Sequence, residues 1–170
     1  ATWWAYQEWS VSARKSIQNA PANAEKRLRS FVNEEVAWAE KMGGMYLLLQ
    51  YPLSSAGAQE IVAHEYKDRM DAIFEYHLAL LAVIIGDLRS GKVSSVDFDI
   101  DTQPTATLLL NPANVLAAGH IAWMTHGLAS WSTGHHLSTQ SWASRGMKDL
   151  TVGLAKKQYV DLIVKVAKGK

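Results

Sequence analysis

The stretch from Ala58 to Leu88, AQEIVAHEYKDRMDAIFEYHLALLAVIIGDL, decides the fold. Ile61/Val62, Tyr66, Met70, Ile73/Phe74, His77, Leu81, Ile84/Ile85 and Leu88 recur in steps of three and four, which puts them on one side of an α-helix. Glu60, Lys67, Asp68, Asp71 and Glu75 fall largely off that stripe, where water can solvate them. The pattern predicts one long amphipathic helix over about 58–88.

Tyr51-Pro52 with Ser54, Ser55 and Gly57 is a turn ahead of it. Before the turn, Leu28, Phe31/Val32, Trp38, Met42, Met45/Tyr46 and Leu49 repeat the same spacing. They predict a second long helix from about Pro21 to Leu49, bent or split at Gly43-Gly44. Asn19-Ala20-Pro21 separates it from a first helix, about Trp3 to Ile17, and places Pro21 at the first helical position. Two long helices joined at Pro52 predict a helical hairpin over 21–90.

Beyond the hairpin, Ser90-Gly91 stops the helix. Val93, Val96, Phe98 and Ile100 then alternate with Ser95, Asp97, Asp99 and Asp101. Period two predicts a short strand or extended connector. Asn111-Pro112 restarts a helix, with Asn as cap and Pro in the first turn. That helix, about 113–131, is rich in small residues (Ala117, Ala118, Gly119, Ala122, Gly127, Ala129, Ser130), which allow another helix to approach closely. A basic amphipathic helix over about 147–167 closes the chain. The expected fold is all-α, in one domain over 1–170. It comprises an N-terminal aromatic arm or first helix (1–20), the hairpin (21–90), an extended connector with a short β insert near 93–101 (within 91–112), and C-terminal helices (113–170).

The 170 residues are 48% apolar, enough for a core and too many for a disordered chain. Cysteine is absent, which excludes disulfides, thiolate metal sites and Cys nucleophiles. The aromatic, polar start lacks the pattern of a secretory signal peptide, and no apolar run reaches the roughly 20 residues of a membrane span.

Charge is sorted by position. Residues 1–30 carry five Lys or Arg against two Glu, residues 31–101 five against twelve acids, and residues 102–170 seven against two. Basic ends around an acidic middle suit a polyanion partner, or the middle of a neighbouring copy. Phosphate binding needs several spaced cations with polar or aromatic neighbours. The candidates are Arg14, Lys15, Lys26, Arg27 and Arg29, and towards the other end Lys148, Lys156 and Lys157. No zinc finger, RNP or glycine-rich phosphate loop accompanies them, so contacts would be to backbone rather than bases.

Seven Trp is a high count, and Trp3, Trp4, Tyr6 and Trp9 crowd into nine residues. Such an arm either folds onto its own core or buries itself in a neighbour; the second reading makes these four a subunit interface. His120, His126, His135 and His136 fall within seventeen residues, but no two have the i,i+3 or i,i+4 spacing of a helical metal pair. Asp97, Asp99 and Asp101 lack the Gly and distal Glu of an EF-hand and read as a charged strand edge. No GxSxG elbow occurs. No catalytic residue, metal or cofactor is expected.

The arrangement of arm Ala1–Trp9, basic stretch Arg14–Arg29, following helices and Lys-rich end resembles the α-helical major coat proteins of filamentous archaeal DNA viruses. The resemblance implies a structural virion protein, made in the host cytoplasm. It would build a helical filament with copies of itself or a paralogous subunit, and package double-stranded DNA through phosphate contacts without sequence preference. Such a protein would have no active site. An enclosing membrane envelope is compatible with the sequence. Two other classes fit the residues: a helical-bundle metal protein or enzyme using His120–His136, and an oligomeric interaction protein without nucleic acid.

Overall fold

The computed structural model describes residues 2–46, 67–94, 111–143 and 150–169. Among them are five helices and no strand: α1 (Thr2–Asn19), α2 (Ala24–Met42), α3 (Lys67–Ser90), α4 (Pro112–Ala143) and α5 (Leu150–Lys168). The all-α expectation holds. The expected strand lies outside the described residues except for Val93 and Ser94, which are irregular.

Helix ends follow local chemistry. The Asn23 side chain accepts a hydrogen bond from the Lys26 amide at 2.9 Å, satisfying one of the open donors of the first turn of α2. Asn23 is therefore the cap, and Pro21 sits in the preceding turn rather than at the first helical position. Gly43 ends α2 at a φ of 57°, a conformation open to glycine at little steric cost, and helical backbone resumes over Gly44–Tyr46. The split foreseen at Gly43-Gly44 is real. Asn111 caps α4 through its Oδ1, 2.9 Å from the Ala113 amide.

The helices share one hydrophobic core. Tyr6, Trp9, Ala13 and Ile17 of α1 and Leu28, Phe31, Val32, Val36, Trp38 and Ala39 of α2 face inward. In α3 the unbroken run Ala79–Ala82 with Ile84 and Ile85 is buried, so this helix is enclosed on most of its circumference. Helix α4 packs along both α2 and α3, α1 lies on α2, and α5 lies mainly on α4. Of the expected hairpin, residues 47–66 lie outside the described residues. Helices α2 and α3 do touch, but each makes more extensive contact with α4, through its inward Ala118, Ile121, Thr125, Leu128 and Ala129. Small inward residues let three helices converge, and α4 runs on to Ala143, past the limit near 131 read from sequence.

Candidate nucleic-acid interface and buried polar cluster

The helices alternate in direction. Contacts tie the C-terminal part of α3 to that of α5 (Arg89 Nε to the Ala167 carbonyl, 3.1 Å), and the start of α2 to the end of α5 (Lys168 Nζ to Glu25 Oε2, 2.6 Å; Arg29 Nη1 to Asp161 Oδ1, 2.7 Å). Arg27 reaches from α2 to the Ser94 carbonyl at 2.8 Å. The turn between α1 and α2 adds the end of α1 to the same pole. Arg14, Lys15, Lys26, Arg27, Arg29, Arg89, Lys92, Lys165 and Lys168 are thus gathered at one end of the bundle, against Glu25, Asp87 and Asp161. Sequence segments about 140 residues apart become one basic pole.

Its cations divide into two kinds. Arg29 is bonded to Glu25 and Asp161, which hold its guanidinium protonated, and Lys168 and Arg29 hold the Glu25 carboxyl below the usual carboxylate range. Arg89 satisfies a terminal carbonyl of α5, the expected place for a cation at the negative end of a helix. These residues, with Arg27, tie the pole together. Arg14, Lys15, Lys26 and Lys165 are exposed and, among the described residues, have no ion-pair partner. They can meet phosphates.

The C-terminal candidates fall elsewhere. Lys156 lies towards the opposite end, 2.6 Å from Glu40 of α2, which also accepts from the Ser132 hydroxyl of α4. This half-buried trio joins three helices and gives Lys156 a structural task. Its neighbour Lys157 is exposed, and Lys148 lies outside the described residues. Replacing Lys156 by Met is expected to lower unfolding free energy by about 1 kcal/mol, after allowance for its partial exposure. DNA affinity should be unchanged, which urea melts and a binding titration on the same sample would check.

The aromatic arm is the clearest correction. Tyr6 and Trp9 are only 5% and 6% exposed, inside their own chain. Trp9 stacks on His77 at 4.1 Å and touches Phe31 and Trp38, while Tyr6 packs edge-on to Phe74 at 5.5 Å. Neither is available to a neighbouring subunit. Period-four spacing of Ala5, Trp9, Ala13 and Ile17 was the signal for an inward face. Trp3 and Trp4 lie on the first turn of α1, and their side chains fall outside the description.

A polar cluster that sequence reading missed sits beneath the arm. The Tyr46 hydroxyl is 3.0 Å from His126 Nδ1, and a Glu35 carboxyl oxygen is 3.7 Å from the same nitrogen. Tyr6, Trp9, Trp38 and Phe74 complete the lining of a cavity of about 170 Å³. Burial raises the Glu35 carboxyl and the Tyr46 phenol, and pushes Tyr6 up to about 12. Glu35 and His126 bring α2 and α4 together here, with the Tyr46 hydroxyl within hydrogen-bond distance of the imidazole. Two other histidines diverge: His120 faces outward and His135 stacks on Trp131 at 5.7 Å, while the His136 side chain falls outside the description. Among the described residues no three His, Asp or Glu converge as metal ligands.

His77 supplies a pH dependence. Its Nδ1–H donates to the Ile73 carbonyl at 2.7 Å, and burial lowers its pKa to about 4. Between the unfolded value near 6.5 and this folded value the unfolded chain binds the extra proton. The His77 contribution is therefore complete above about pH 6.5 and is lost as pH falls through 4. Glu35 acts in the opposite sense, since a raised carboxyl costs stability as pH rises above its unfolded range. The difference between wild type and His77→Phe isolates the histidine: wild type should lose about 3 kcal/mol more than the variant between pH 7 and pH 4. Equal losses in chemical denaturation at the two pH values would contradict this.

No family model, curated protein or solved structure matches the chain. No described helix is long and apolar enough to cross a membrane.

Proposed function

We propose that this chain is a structural coat subunit. It assembles with copies of itself, or with a related subunit, into a helical filament around double-stranded DNA, which it holds by phosphate contacts without reading bases. The observation that carries the reading is the basic pole, where Arg14, Lys15, Lys26 and Lys165 stand exposed beside cations already committed to holding the helices together. Free cations on rigid helices provide the electrostatic footprint of backbone binding. On this reading the chain has no active site and no cofactor, and its place is the virion.

Nuclease protection of mixed-sequence duplex DNA at low and high salt, followed by electron microscopy of the same samples, is the test. Filaments that shield DNA at low salt and release it at high salt are expected. Absence of protection at low salt would sink the DNA part. A second reading, an assembling protein without nucleic acid, is favoured by the uncharged outer face of α4. It predicts bare assemblies that DNA leaves unchanged.

A further inference from the structure

Helix α4 spans 32 residues without a single Lys, Arg, Asp or Glu, a length of about 48 Å. Its inner side is core, but its outer side carries Leu116, Trp123 and Trp131 at 79%, 78% and 46% exposure. Single exposed apolar residues need no explanation, whereas a line of them on one helix marks a contact surface. Gly119 and Gly127 sit between the bulky residues, and Gly134 follows Trp131. Nothing lies within 4 Å of where a Cβ would stand at Gly127 or Gly134, and only Leu78, at 3.9 Å, approaches that of Gly119. At about 100° per residue these six positions share an arc of about 120°.

We propose that this face binds the same face of a second copy, with the two α4 helices antiparallel about a two-fold axis near Thr125. The order of residues is self-complementary in that one register. Trp123 then lies level with Gly127 of the second copy, Trp131 with Gly119, and Leu116 with Gly134. Each bulky group thus stands at the height of a glycine, which leaves it room between the helices, and the operation is its own inverse, as a two-fold contact requires. With no Lys, Arg, Asp or Glu on α4, the α4–α4 part of the contact desolvates none of these charges and opposes none of them.

The area is of the right order. The face continues onto α5 through a groove of about 380 Å³ lined by Gly127, Trp131, Ala155 and Tyr159. Fully exposed aromatic side chains offer on the order of 150–250 Å² each. At the observed exposures the three bulky α4 residues with Tyr159 and Leu162 present roughly 600 Å² of apolar surface, most of the approximately 800 Å² that each partner of a stable dimer buries. The inference deepens the assembly part of the reading above and rests on it, but not on DNA contact.

The absence of cysteine makes the register testable on the full chain without DNA. In the proposed dimer His120 lies opposite Ser130 of the second copy. Identical positions are ten residues off register, about 15 Å apart, beyond the roughly 7 Å reach of a disulfide. Mixed His120→Cys and Ser130→Cys proteins should cross-link under mild oxidation, and neither should do so alone. In sedimentation the wild type should be dimeric. Trp123→Gln should associate at least 100-fold more weakly with unchanged helical circular dichroism. Cross-linking of either single variant as fast as the mixture, a monomeric wild type, or undiminished association of Trp123→Gln would each overturn the proposal. DNA binding by Trp123→Gln, measured separately at low salt, keeps failure of this interface distinct from failure of the DNA reading.

Discussion

Replacing Trp9 by alanine is expected to lower the free energy of unfolding by about 3–5 kcal/mol, the range for deleting a large buried aromatic. The ring is 6% exposed and lies between His77 of α3 and the Phe31 and Trp38 rings of α2. Its removal takes away a side chain that holds α1 against both helices, and the surrounding rings belong to two other helices that cannot both collapse into the space. A shift of this size is a large share of the 5–15 kcal/mol by which domains are usually stable. Denaturant melts of monomeric, DNA-free protein are the measurement. Unchanged monomer stability with impaired assembly would instead restore Trp9 to a subunit interface.

Changing Arg14, Lys15 and Lys26 together to glutamine is expected to reduce the slope of log affinity against log salt by about 2.7, from about 0.9 per lost contact with duplex phosphate. These three are exposed and, among the described residues, without ion-pair partners, so their loss should leave the thermal melt nearly unchanged. A titration of mixed-sequence duplex at several salt concentrations reads the slope. If the triple variant keeps the wild-type slope, the basic pole does not touch phosphate. Arg29 and Lys168 are poor choices for the same experiment. Each is tied to a carboxylate across helices, and its removal would confound binding with folding.

The two expectations together explain how the aromatic arm was legible yet easily misread. Four aromatics near the start of a chain mark a surface that must be covered. Whether a neighbour or the chain's own α2 and α3 covers it is a long-range question that spacing does not answer. The Glu35–His126–Tyr46 cluster was invisible for the same reason. His126 is 80 residues from Tyr46, none of the three belongs to a motif, and His126 looked like one of four clustered histidines, of which His120, His126 and His135 in fact point to different places.

By itself the sequence determined the helices, because three- and four-residue spacing of apolar groups, Asn111 before Pro112, and Gly43-Gly44 act within a turn or two of backbone. It also determined that charge would be uneven. Only the tertiary structure decided where that charge went: alternating helix directions brought Arg14–Arg29 together with Arg89, Lys165 and Lys168 at one pole, and sent Lys156 to Glu40 towards the other. It likewise decided that α4 packs along both α2 and α3, since which small face turns inward depends on partners distant in the chain. Local spacing sets the elements, while ion pairing and burial between distant segments set which residues remain free to bind.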